Sequence, residues 1–141
     1  MADIIPISLI ALVASGTVDL DTDSMVATLH SSGAAFTYAS EDYANTYEMP
    51  TGSGYTQLDM AVTSQQVTRS GLYATFDIAD VTWTAAGGDI GPARYCAIVD
   101  TQGGINKYVY IMDFLTDKTA NDGTDFKIVV NASGLFKMYQ G

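Results

Sequence analysis

Apolar and polar positions alternate with a period of two along much of this chain. Leu58, Met60 and Val62 alternate with Asp59, Ala61 and Thr63, and Leu72, Ala74, Phe76 and Ile78 alternate with Tyr73, Thr75 and Asp77. Phe126, Ile128 and Val130 repeat the pattern. Successive side chains of a strand leave opposite faces, so this spacing marks strands with one buried face. It predicts an inward set of Leu58, Met60, Val62, Leu72, Phe76, Ile78, Phe126, Ile128 and Val130.

Turn residues punctuate these runs. Ser70-Gly71 separates the first two, Asn121-Asp122-Gly123 precedes the third, and Ser133-Gly134 leads into a last strand from Leu135 to Tyr139. Tyr95–Val99 and Tyr108–Phe114 flank Gln102-Gly103-Gly104 and read as a hairpin. Met25–His30 is a further strand. Residues 7–14 form a short helix, with Pro6 at its first turn and Gly16 near its C-terminal cap. Residues 31–54 mix Ser, Gly, Asn and Pro with scattered aromatics and read as a long surface loop, a kind of segment that often makes contacts. The expectation is one domain over residues 1–141, a mainly β antiparallel sandwich of immunoglobulin-like or jelly-roll-like type. Its seven or eight short strands would carry a helical segment within residues 1–16.

Composition sharpens this picture. At 141 residues the chain suits one domain that needs no disulfide or metal to fold. Apolar residues make up 48% and charged residues only 16%, which suggests that part of the exterior is covered by a partner. The net charge is −10, with eight acids and no Lys or Arg among residues 1–68. All six basic residues lie from Arg69 onward. Nucleic acid and anionic membranes are excluded as partners, since both need clustered Lys and Arg. Ile4–Ala14 is apolar, but Asp3 stands where a signal peptide carries basic residues, and the stretch is too short to span a bilayer. It is expected to belong to the fold.

The chemistry available is sparse. Cys96 is the only cysteine and sits in an apolar strand, as a buried core residue would. His30 is the only histidine, and no nucleophile motif accompanies it. One His and one Cys do not make a zinc site. Asp19, Asp21 and Asp23 alternate through a turn and are the one candidate set for calcium. An EF-hand loop would require Gly and Glu where Ser24 and His30 stand. Asn131-Ala132-Ser133 fits a glycosylation acceptor. No catalytic residue and no cofactor is expected, and the chain is read as a non-enzyme. Ile7, Ile10, Tyr38, Tyr43 and Tyr47 are the candidate interface residues, from the apolar N-terminal segment and the tyrosine-bearing loop.

Two stretches, taken together, resemble a known family. The first runs from Ile7 to Leu29 and contains Gly16-Thr17-Val18-Asp19-Leu20-Asp21-Thr22-Asp23-Ser24-Met25-Val26. The second comprises Gly54-Tyr55-Thr56, then Asp80-Val81-Thr82-Trp83, then Ala93-Arg94-Tyr95-Cys96-Ala97-Ile98-Val99-Asp100. Asp113-Phe114 and Asn131-Ala132-Ser133-Gly134-Leu135-Phe136 close the chain in the same order. This layout resembles that of small tailed-phage virion structural proteins, and the likeness covers most of the chain. The long loop, and the lack of basic residues before Arg69, depart from the family's layout.

The resemblance implies a virion protein and carries over no enzymatic residue. The expectation is a capsid decoration or cement protein on the outer face of the head. It would bind the major capsid protein or other virion proteins as a homo-oligomer, with a trimer as the guess. A tail, fibre or head–tail adaptor component and a carbohydrate-binding β-sandwich module are the alternatives.

Overall fold

The structure, a computed structural model, describes residues 3–139. The chain is mainly β, and the described residues form nine strands in antiparallel sheets and one short α-helix. Helix α1 spans Ser8–Ala14. Gly16, at φ +78°, lets the chain turn back, and the N–H groups of Thr17 and Val18 both reach the Leu12 carbonyl. The strands are β1 Met25–His30, β2 Met60–Ala61, β3 Gln66–Ser70, β4 Tyr73–Asp77, β5 Val81–Thr84, β6 Ile90–Asp100, β7 Lys107–Ala120, β8 Asp125–Ile128 and β9 Phe136–Tyr139. They form a four-stranded sheet in the order β2-β1-β6-β7, a three-stranded sheet β3-β4-β9 and a pair β5-β8.

The three sheets share one core. Leu29, Phe76, Trp83, Ile98, Val109, Phe126 and Phe136 come from seven strands and meet in a single apolar cluster. A second cluster lies around Tyr95, Ala97, Val99, Tyr108 and Ile111, with Ile4 buried in it and Phe36, Tyr43 and Leu58 packed against it. Alternate residues of β6 therefore enter different clusters, and β6 is buried continuously from Tyr95 to Asp100. A strand covered on both faces reads as an unbroken apolar run, as Tyr95–Val99 does.

The hairpin of β6 and β7 forms where the sequence predicts it, around Gln102–Gly104, and β7 runs on past Phe114 to Ala120. Residues 31–54 lack strands and hold one 3₁₀ turn, Ser32–Ala34. They are more than a surface loop, because Phe36 and Tyr43 seal the second cluster.

Phe76, Ile78, Val62, Phe126 and Ile128 are buried as the alternation predicts. Leu72 is not, and the prediction for it fails: it is 71% exposed. The strand begins only at Tyr73, and Gly71-Leu72 forms the turn between β3 and β4, so Leu72 lies outside the pleat that would have aimed it inward. The run from Leu58 to Val62 also shrinks to the two residues of β2. Leu58 has a positive φ of 51°, which breaks the alternation, and it packs on the second cluster while Met60 packs on the first. Val130 is half-buried beside the main core.

Candidate functional site

Helix α1 carries apolar residues on both its buried and its exposed side. Leu9 is buried in the core and Leu12 and Val13 pack against it, whereas Ile7 and Ile10 are each 74% exposed. Three residues apart, the two isoleucines share one helix face. The N–H of Ile7 donates to the carbonyl of Tyr38 at 2.8 Å, which sets the backbone of the exposed Tyr38 beside Ile7. Ile7, Ile10 and Tyr38 thus come together, from the N-terminal segment and the long loop, as an outward-facing apolar group. Burying one such isoleucine against a partner contributes about 1.5–3 kcal/mol.

Tyr43 and Tyr47 belong to a different place. Tyr43 is half-buried: its hydroxyl donates to Glu48, and its ring meets His30 and Tyr108 edge-on at centroid distances of 6.4 and 6.2 Å. Tyr47 is half-exposed and its ring lies against Gly33, where a Cβ would stand 2.6 Å from the ring; any larger residue there would displace it. A shallow pocket of about 180 Å³ opens beside Tyr47, lined by His30, Phe36, Ser40, Asp42 and Tyr108 among others.

Glu48 is the hub beneath the loop. It is buried, and it accepts hydrogen bonds from Tyr43, from the Tyr55 hydroxyl at 2.7 Å and from the Leu58 N–H at 2.9 Å. Tyr55 is itself buried, and its oxygen accepts the Leu29 N–H at 2.8 Å. Burial, with Glu48 beside them, pushes both tyrosine hydroxyls above their ordinary pKa, so they remain donors. The network ties the loop to β1 through the Tyr55 hydroxyl, which accepts from Leu29, 26 residues away in sequence. No periodicity could reveal it.

His30 is buried and hydrogen-bonds through Nε2 to the Thr28 hydroxyl at 2.8 Å. Burial pulls its pKa down to about 4, so it is neutral at physiological pH. Cys96 is fully buried and burial pushes its thiol up, so it is not a poised nucleophile. Both occupy structural settings.

The acidic turn spends its carboxylates on its own backbone. Asp19 Oδ1 accepts the N–H of Asp21 at 3.0 Å and that of Thr22 at 3.3 Å, which holds its pKa below the usual range. Asp23 Oδ2 accepts the Asp19 N–H at 2.8 Å, and Asp21 Oδ1 reaches away to the Val67 N–H at 2.9 Å. Asp21 thereby ties the turn to β3, and the three calcium candidates do not converge. Among the described residues no three His, Cys, Asp or Glu side chains form a metal-ligand group. The buried carboxylate closest to this turn in the fold is Asp100, which alternation alone could not single out. Its one signal is its place at the end of a continuous apolar run.

No described helix is long and apolar enough to cross a membrane. No protein-family model matches the chain, and neither a curated protein nor a solved structure matches it.

Proposed function

We propose that this chain is a phage virion structural protein, a capsid decoration or cement protein that binds the outer face of the head and stabilises it. The observation that carries this reading is the outward pair Ile7 and Ile10 with Tyr38 beside them. These large apolar side chains stand in water on a chain whose core is already filled by others. The major capsid protein is the proposed partner, and a homo-oligomer, a trimer by preference, the proposed binding form. The net charge of −10 would keep the protein off packaged DNA. A sandwich-type packing of the sheets, immunoglobulin-like or jelly-roll-like, belongs to the same proposal, supported by the core that all three sheets share. The test is binding to bare capsids, followed by co-sedimentation. Ile7→Ser with Ile10→Ser should weaken binding strongly while leaving the fold intact. Equal binding by the double variant would refute the assigned surface, and recovery of the chain from tails would favour a tail, fibre or adaptor role.

A second reading has its own observation. The pocket beside Tyr47 combines aromatic rings with the polar groups of Ser40, Asp42 and His30, a mixture suited to a sugar ring. Titration with a panel of monosaccharides, followed by amide NMR, would favour this reading if shifts cluster on Phe36, Tyr47 and Tyr108. It fails if no sugar moves them.

A further inference from the structure

Asp100 is the last residue of β6 and is fully buried. Its Oδ1 accepts the Gln102 N–H at 2.8 Å, but its Oδ2, equally buried, has no hydrogen-bond partner. An ionised oxygen left so would be costly, because nothing replaces the water it gave up. The backbone places the acidic turn against it. Met25 pairs with Asp100 across β1 and β6, the Ser24 carbonyl accepts both the N–H and the hydroxyl of Thr101, and the Ser24 N–H donates to the Gln102 side chain. The Asp23 carboxyl, one residue before Ser24, is brought close enough to Asp100 to disfavour its ionised form, as, more weakly, is Asp19.

Among the described residues no positive charge answers this pair. Lys107 is the cross-strand partner of Asp100, yet its ammonium goes to Glu41 at 2.9 Å and Asp42 at 2.5 Å. Asp21 is drawn off to β3, and the remaining neighbours, Ser24, Thr101 and Gln102, are neutral. Calcium would need about six to eight oxygens around it, and no converging set of three ligand side chains is present among the described residues. A proton satisfies the orphan oxygen with two carboxyls alone.

We infer that Asp23 and Asp100 share one proton, and that this carboxyl–carboxylate bond latches the turn of residues 19–24 to the base of the β6–β7 hairpin. Losing the proton leaves two facing carboxylates, and the latch opens. Burial first, and then the Asp23 carboxylate, push Asp100 up to about 7, so the opening falls near neutrality. The inference does not depend on the proposed capsid role. The sign follows from linkage: the folded protein holds this proton more tightly than the unfolded chain, so the latch's contribution is present at low pH and lost as pH rises through about 7.

Asp100→Asn tests it, because its amide can donate to Asp23 whatever the pH while its oxygen keeps the Gln102 N–H. The melting temperature of the variant should exceed that of the wild type by a margin that grows from about pH 4 and levels off above about pH 8. Carboxyl carbon NMR of the wild type should show the Asp100 carboxyl titrating near neutrality. Amide exchange at Asp19 and Gln102 should speed up above that pH in the wild type and stay slow in the variant. A margin independent of pH, or an Asp100 carboxyl ionised throughout, would overturn the inference. So would calcium raising the wild-type melting temperature at about pH 8 without affecting Asp100→Asn, since that would put a cation where the proton is placed. If Asp100→Asn does not fold, Asp23→Asn supplies the same comparison from the other side.

Discussion

Single residues carry the sharpest tests of the core. Phe76 is fully buried between the sheets, with its ring 5.4 Å from that of Phe136. Truncating it to alanine should cost about 3–5 kcal/mol in chemical denaturation. Leu72, four residues away on the same alternation, stands in a turn and is exposed, so Leu72→Ser should change stability by no more than about 0.5 kcal/mol. Equal losses for the two would mean that the turn between β3 and β4 is wrongly placed. His30 offers a pH test of its own. Burial lowers its pKa from 6.5 to about 4, so the unfolded chain binds this proton more readily and stability is lost as pH falls between those values. His30→Gln, which can still bond to Thr28, should remove that acid-side loss in melting curves recorded across the window. An unchanged slope would show that His30 is solvated. The Asp100 latch runs in the opposite sense over an overlapping range, so each must be read against its own variant.

Among the elements, legibility followed how far local pattern decided structure. The β6–β7 hairpin was readable because a turn of Gln102-Gly103-Gly104 separates two apolar runs. Helix α1 was readable from Pro6 and Gly16 at its ends. By contrast, β3 is exposed at all five positions, so it has no alternation to detect, and it exists by pairing with β4. Strand β5 alternates correctly, Val-Thr-Trp-Thr, but is only four residues long and owes its place to its register with β8. The 58–62 run misled because one positive φ at Leu58 undoes the alternation. In the candidate surface, Ile7, Ile10 and Tyr38 were nameable from composition, but their adjacency depends on a loop-to-helix hydrogen bond that sequence does not encode locally. Glu48 and Asp100 were invisible for the same reason. The element-scale prediction concerns the loop: Tyr55→Phe leaves Glu48 buried with one donor fewer and should destabilise by about 1–3 kcal/mol. Faster amide exchange at Leu29 and Leu58 should accompany the loss, whereas exchange confined to β9 would contradict the hub role of Glu48.

For the whole molecule, the proposed role turns on the surfaces the fold presents. The four-stranded sheet faces the main core, to which the other sheets and helix α1 contribute, on one side, and Ile4 with the long loop on the other. The exposed isoleucines therefore sit on the outer side of an element packed on the main core and not on the sheet itself. In the proposed role, a shell subunit docking there would press α1 onto the core, and binding to the folded form alone would stabilise both partners by mass action. The most direct measurement of the proposed role is an image reconstruction of phage particles incubated with or containing this protein, at a resolution that resolves helix α1. The account predicts density for the protein on the outer face of the head, with Ile7 and Ile10 against the major capsid protein. Density confined to the tail, or a head-bound copy with α1 turned to solvent, would contradict it.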